Sequence, residues 1–176
     1  MRIVSILSQK GGVGKTTTAL ALAECLRAKK KKVLLVDADQ QQNSSLSMGA
    51  DLSGGGLYEA ITGEPVSELI QHTNTGDILP ATDSLIGSDG EFTGKLELLK
   101  DALAQVNYDH VIIDTPPALC AITLLAIVAS SDLIIPLEPC LYSIQGFEQL
   151  YYYLNRIKDH AFRCRQSARR ATRAWQ

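Results

Sequence analysis

Four short stretches of this chain are apolar at nearly every position: Ile3 to Leu7, Val33 to Asp37, Val111 to Asp114 and Leu133 to Leu137. They are rich in β-branched residues, and both alternating sets of side chains are apolar. That pattern predicts strands covered on both faces, as in a parallel sheet. Between them, Lys15 to Ala28, Gly94 to Val106, Leu119 to Ala129 and Ser143 to Lys158 carry apolar positions at the spacing of helices. A shorter strand is expected around Ile78 and Leu79. Strands alternating with helices predict a doubly wound α/β fold with a mostly parallel sheet and right-handed crossovers. The segment 42–90, rich in Ser, Gly, Thr and Asp, is the least regular, and the chain shows no internal repeat.

A length of 176 residues suits one domain with a substantial core. Apolar residues make up 45% and charged residues 20%, which excludes a disordered or fibrous chain. No apolar run reaches the roughly 18 to 20 residues that a membrane span needs, and MRIVSIL lacks the features of a signal peptide. A cytoplasmic protein is expected. Cys25, Cys120, Cys140 and Cys164 are scattered without a CxxC pair, so reduced, mostly buried thiols are expected rather than a zinc site or disulfides. The net charge of −2 conceals an asymmetry: from Arg156 onward seven basic residues face Asp159 alone, leaving that stretch near +6 and the body near −8.

Ligands of such sheets sit beyond the carboxyl ends of the strands, and the first strand runs there into SQKGGVGKTTT. Successive amides from Gly11 through Val13 to Lys15 can converge on one anion, and the N-terminus of the following helix adds partial positive charge. Gly11, Gly12 and Gly14 let the backbone approach a phosphate closely. Lys15 is placed to reach the β and γ phosphates, and the Thr16 hydroxyl to ligate Mg²⁺. The usual phosphate loop has Gly five residues before Gly14. This chain has Gln9 there, followed by a second lysine, Lys10.

KGGVGKTT resembles the deviant Walker A loop of the ParA/MinD/nitrogenase-iron-protein superfamily of P-loop NTPases. VLLVDADQQQNSS resembles the family's Asp-x-Asp-Pro-Gln-x-Asn motif, with Gln40 in place of Pro. VIIDTPPAL resembles its Walker B and switch II segment, and IIPLEPCLYSIQGFEQL is similar to the segment that follows in ParA-type partition ATPases. The resemblance covers residues 1 to about 155. It implies an ATPase using ATP and Mg²⁺, in which two monomers close face to face around two nucleotides. Lys15 then serves its own ATP and Lys10 the neighbour's. Asp39 matches the aspartate associated with the attacking water, and Asp37 the one near the metal shell. Asp114 would hold Mg²⁺ through water, Thr17 would contact the α phosphate, and Thr115, Pro116 and Pro117 would form a stiff switch. The partners implied are a second copy of the chain, a centromere-binding ParB-like protein and nonspecific DNA, with no membrane contact and a location on the nucleoid.

The end of the chain departs from the family. RIKDHAFRCRQSARRATRAWQ resembles nothing at those positions, so the expectation is a P-loop domain over residues 1–158 that lacks the family's C-terminal segment, followed by a basic tail over 159–176. That tail is a translated frameshift, a helix that meets DNA phosphates, or solvated chain. Three other functions stay open: a nucleotide-binding remnant without turnover, a MinD-like membrane ATPase, and an iron–sulfur carrier using Cys120. The Lys29 to Lys32 run suits a helix C-terminus, with a nucleic-acid patch as the alternative. Tyr151 to Tyr153 can be only partly buried and could meet a partner.

Overall fold

The computed structural model describes residues 1–137 and, further along, 151, 152, 154 and 155. The chain divides into two units, Met1–Leu137 and Glu138–Gln176. In the second, the four described residues are helical and Tyr151 and Tyr152 are exposed. The rest of the expected helix from Ser143 to Lys158, and the basic tail, lie outside the described residues.

The first unit is built on one sheet whose described strands are β1 (Arg2–Ile6), β2 (Val33–Asp37), β3 (Gln71–Thr73), β4 (Gly76–Leu79), β5 (His110–Asp114) and β6 (Asp132–Ile134). Their spatial order is β3-β4-β2-β5-β1-β6, parallel throughout except for the β3–β4 hairpin at one edge. The period-two geometry of a strand divides the apolar runs between the two faces. Ile3, Leu34, Val36, Leu79, Val111 and Ile113 face one core, which includes residues of α3 (Leu57–Thr62), α5 (Leu98–Leu103) and α6 (Ala121–Ala129). Val4, Ile6, Val33, Leu35, Ile78 and Ile112 face the other, with Ala19 and Ala23 of α1 (Lys15–Ala28). Two alanines four residues apart lie on one side of the helix and let its backbone come close to the sheet. Ser5 interrupts the apolar run of β1, but its hydroxyl lies 2.6 Å from the Ser130 hydroxyl and donates to the Ala126 carbonyl, so its polarity is satisfied.

α1 and β2 have the expected bounds, whereas other elements differ for local reasons. The helix expected over Gly94 to Val106 is only Leu98–Leu103. Gly94 has a φ of 80°, outside the helical range, and Gln105 and Val106 donate to carbonyls three residues back, closing the helix in a tighter turn. The strand expected over Leu133 to Leu137 is Asp132–Ile134, since Pro136 carries no amide to extend the ladder. α6 begins at Ala121 because Cys120 is extended. The irregular region holds α2 (Asn43–Met48), α3, α4 (Val66–Leu69), the β3–β4 hairpin and two 3-10 turns. Cys25 is exposed, against the expectation of burial, because α1 turns Ala19 and Ala23 to the sheet instead. No described helix is long and apolar enough to cross a membrane.

Candidate functional site

Strand register alone brings two of the expected carboxylates side by side. Ile6 of β1 and Asp37 of β2 both pair with Asp114 of β5, so the central strands end level at one edge. β1 then leaves into the glycine loop. Gly12 and Gly14 adopt φ angles of 76° and 89°, a region that side-chain-bearing residues rarely enter. Gly14 is the N-cap of α1 and gives no side-chain cap, and the helix's first turn holds no acidic residue. A β-carbon at Gly11, Gly12 or Gly14 would meet nothing within 4 Å, so the loop's outer lip is open. Val13 is half-buried, and Thr17 and Lys10 are exposed.

Lys15 is only 7% exposed and folds back over the loop, its Nζ donating to the Lys10 carbonyl at a long 3.4 Å. The Thr16 hydroxyl donates to Asp114 Oδ2 at 2.7 Å, and the Ser44 hydroxyl donates to the same oxygen at 2.7 Å. Asp114 Oδ1 is buried with no partner. Burial pushes the Asp114 carboxyl above its ordinary pKa; the Ser44 and Thr16 hydroxyls pull it down, the Asp39 charge pushes it up and Lys15 opposes that. Asp37, fully buried, is driven by burial to a pKa of about 6, against the opposing pull of its hydrogen bonds. Its Oδ2 accepts from the Ser45 amide and hydroxyl, both at 2.8 Å, and its Oδ1 from the Asp39 amide at 3.1 Å. Asp39 is 7% exposed and accepts the Gln41 amide. The Thr115 hydroxyl is clipped to the Ile6 carbonyl at 2.7 Å, which ties the segment after β5 to the end of β1.

The structure therefore gathers Lys15, Thr16, Asp37, Asp39 and Asp114 around one strand edge, with Lys10 on the exposed side of the loop. Ser44 and Ser45 were not singled out from sequence, although they follow directly on the Asp-x-Asp motif. α2 points its first turn inward, so Ser44 meets Asp114 while Ser45 meets Asp37 and also accepts the Ala81 amide. Among the described residues, the buried charged side chains are Lys15, Asp37, Asp39 and Asp114. Three carboxylates face one ammonium, an imbalance that a low-dielectric site holds only by taking up protons or a cation. An oxygen-rich set with one carboxylate and one hydroxyl suits Mg²⁺, which is typically held by one or two carboxylates together with substrate phosphates.

Residues 1–166 match the AAA domain family. The chromosome-partitioning ATPase Soj of Thermus thermophilus is 37% identical over 158 residues, covering 90% of this chain and 63% of that protein. The chain belongs to the ParA-type partition ATPase family. The fold matches that of a plasmid partition protein from Borrelia burgdorferi with a TM-score of 0.80 and 28% identity, over 89% of this chain and 73% of that one. It also matches cobyrinic acid a,c-diamide synthase from Mycobacterium smegmatis, solved with an ATP analogue and magnesium, with a TM-score of 0.84 and 33% identity, over 90% and 69% of the two chains. The ParA-type chain described here spans about three fifths of the length of the first curated relatives it matches. The glycine loop, the Asp-x-Asp strand end and Asp114, the stretches whose sequence resembles the family's motifs, lie together at the carboxyl edge of a mostly parallel sheet.

Proposed function

We propose that this chain binds ATP with Mg²⁺ at the carboxyl ends of β1, β2 and β5. It hydrolyses the nucleotide slowly, under stimulation by a ParB-like partner, in plasmid or chromosome partition. The observation that carries the reading is the site's excess of buried carboxylates, with Asp114 Oδ1 lacking any partner while Oδ2 is held by Thr16 and Ser44. The likeness to a partition ATPase and to a structure solved with an ATP analogue and magnesium supports it.

Each residue's part follows from its present bonding. The loop amides and the N-terminus of α1 receive the phosphates. Lys15 gives up a long, weak bond to the Lys10 carbonyl in exchange for the β and γ oxygens. Thr16 donates its hydrogen to Asp114, which leaves its oxygen lone pairs to face a cation. Thr16 and Asp114 would hold Mg²⁺, which supplies neutralisation of charge on the transferred phosphoryl group. Asp37, with its Ser45 and Asp39 partners, fixes the strand end on which Asp39 orients water. Lys10 reaches the nucleotide of a second copy of the chain, so hydrolysis depends on an ATP-dependent homodimer. That dimer holds nonspecific DNA on the nucleoid, in the cytoplasm.

Titration calorimetry with ATP, with and without Mg²⁺, tests the site. Magnesium-dependent binding that Asp114→Asn abolishes is expected; ATP binding indifferent to Mg²⁺ would overturn the metal assignment. Mixing Lys10→Ala with Lys15→Ala tests the division between the lysines. Each variant is inactive alone, and the heterodimer, confirmed by crosslinking, recovers some hydrolysis if Lys10 acts across the interface. No recovery in a heterodimer with ATP bound sinks that role.

A further inference from the structure

At the opposite edge of the sheet lies a cleft of about 560 Å³, which the ATPase reading leaves unused. It is lined by the last turn of α1, the start of β2, α4 and its C-cap, the β3–β4 hairpin and the loop after α5. Its size is that of a small-molecule site. Three cations line it: Arg27, Lys31 and Lys32.

Arg27 is the unusual member. Its side chain is only 20% exposed, Nη2 is paired with Glu24 at 2.9 Å, and Nη1 is buried with no partner. A buried, unsatisfied donor on a charged group costs free energy. The guanidinium fits only because residue 76 is glycine. A β-carbon there would collide with Arg27, and the φ of 128° is itself one that residues other than glycine rarely adopt.

The cleft's lining is short of negative charge, its other side-chain acceptors being the neutral Ser67, Gln105 and Asn107. Its one carboxylate, Asp77, is already committed, with Oδ1 paired to His72 Nδ1 at 2.7 Å and Oδ2 accepting from the Tyr108 hydroxyl at 2.9 Å. Burial and the neighbouring Asp77 push the Tyr108 hydroxyl's pKa above its usual value, so it remains a donor. Neither lysine ammonium makes a close ion pair among the described residues, although Asp109, whose carboxyl pKa is lowered chiefly by the Lys32 amide bond, is near enough for both lysine charges to lower it further. The negative end of α1 adds only about half an electron's charge, and Asp109 outside the cleft binds the Lys32 amide. Val33, Ile70 and Val106 supply an apolar wall.

We infer that this cleft is a second ligand site, taking a small organic anion whose carboxylate or phosphate head meets Arg27 and whose short apolar body lies along Val33, Ile70 and Val106. A fork of guanidinium donors beside two ammonium groups suits an oxyanion. The inference does not rest on the nucleotide reading, and the two sites fail separately.

The test is an amide NMR titration of the full chain at constant ionic strength with phenyl phosphate, benzoate and inorganic phosphate. Phenyl phosphate and benzoate should shift the Val33, Gly76 and Tyr108 amides, and phenyl phosphate should bind at least about tenfold more tightly than inorganic phosphate. Arg27→Gln should weaken both organic probes at least about tenfold, while Lys15→Ala leaves them unchanged. The double variant Lys31→Gln, Lys32→Gln, which spares the buried guanidinium, should weaken them by a smaller factor and guards against misfolding of the first variant. Shifts confined to the glycine-loop amides and lost in Lys15→Ala would overturn the site. So would full affinity in folded Arg27→Gln. Equal binding of inorganic and phenyl phosphate would overturn the apolar body, and a response to duplex DNA alone would overturn a small ligand.

Discussion

The two edges of the sheet present opposite faults. Among the described residues, two buried side-chain atoms lack any partner: Asp114 Oδ1 at the carboxyl edge and Arg27 Nη1 at the amino edge. One edge is short of positive charge and the other of negative charge, and α1 runs between them, about 20 Å long, with Lys15 at its start and Arg27 in its last turn. Buried polar groups are nearly always satisfied in native proteins, so an orphan at each edge calls for a partner, whether water, ion or ligand. The carboxyl edge draws its phosphate loop from consecutive residues and its carboxylates from two strand ends, whereas the amino edge takes its lining from five separate elements.

The sharpest way to break this contrast is Lys15→Ala. It removes the buried ammonium that offsets three carboxylates, and ATP affinity should fall by more than about a thousandfold, roughly 4 kcal/mol. Calorimetry checks this, with Arg27→Gln as the control that should keep full ATP affinity. If Arg27→Gln loses ATP as well, the two edges are not independent.

Titration of the carboxyl edge comes next. Asp37 is raised from 3.8 to about 6, so between those values the folded state holds a proton that the unfolded chain has released. Folding stability from this group is therefore greatest below about pH 4 and falls as pH rises through 6, by roughly 3 kcal/mol in the nucleotide-free protein. Urea denaturation of the parent and of Asp37→Asn across pH 4 to 7 measures it. The parent should lose stability relative to the variant over that window. A parallel pair of curves would show that the buried imbalance is met by some other means.

At the amino edge, Gly76→Ala should cost about 1–3 kcal/mol, combining a strained φ with displacement of the Arg27 guanidinium. Thermal denaturation checks the size, and ATP binding should survive. The smallest effect expected is from Ser44→Ala, which removes one of two donors on Asp114 Oδ2. A loss of about 1–2 kcal/mol in stability is expected, with a slight rise in the pH at which Asp114 titrates. An unchanged stability would show that Thr16 alone suffices to hold the carboxylate.

The unequal legibility of the two edges has a physical source. Lys10, Gly12, Gly14, Lys15 and Thr16 lie within seven consecutive positions, and backbone amides at the head of a helix need no distant partner to make an anion cradle. Asp37 and Asp114 end apolar strands, where a carboxylate is conspicuous. Ser44 and Ser45 carry no signal in the sequence because serine is common in loops, and only the inward turn of α2 gives them carboxylates to hold. β4 matches the short strand expected around Ile78 and Leu79, but β3 is not legible, because Gln71–Thr73 is short and polar and its strand character comes from pairing with β4.

The sequence by itself determined the parallel α/β layering, through apolar runs long enough for a strand and buried on both sides, and the phosphate loop, through glycine spacing. Only the tertiary structure decided that Asp37 and Asp114 stand in register, that two hydroxyls share one oxygen of Asp114, and that Arg27 lies against Gly76 beside Tyr108. Residues 27, 76 and 108 share no motif or period. Their contact follows from the crossover of α1 to β2 and the order β4-β2-β5 across the sheet, which local hydrophobic patterning does not encode, because it fixes the face a residue occupies and not its neighbours on that face.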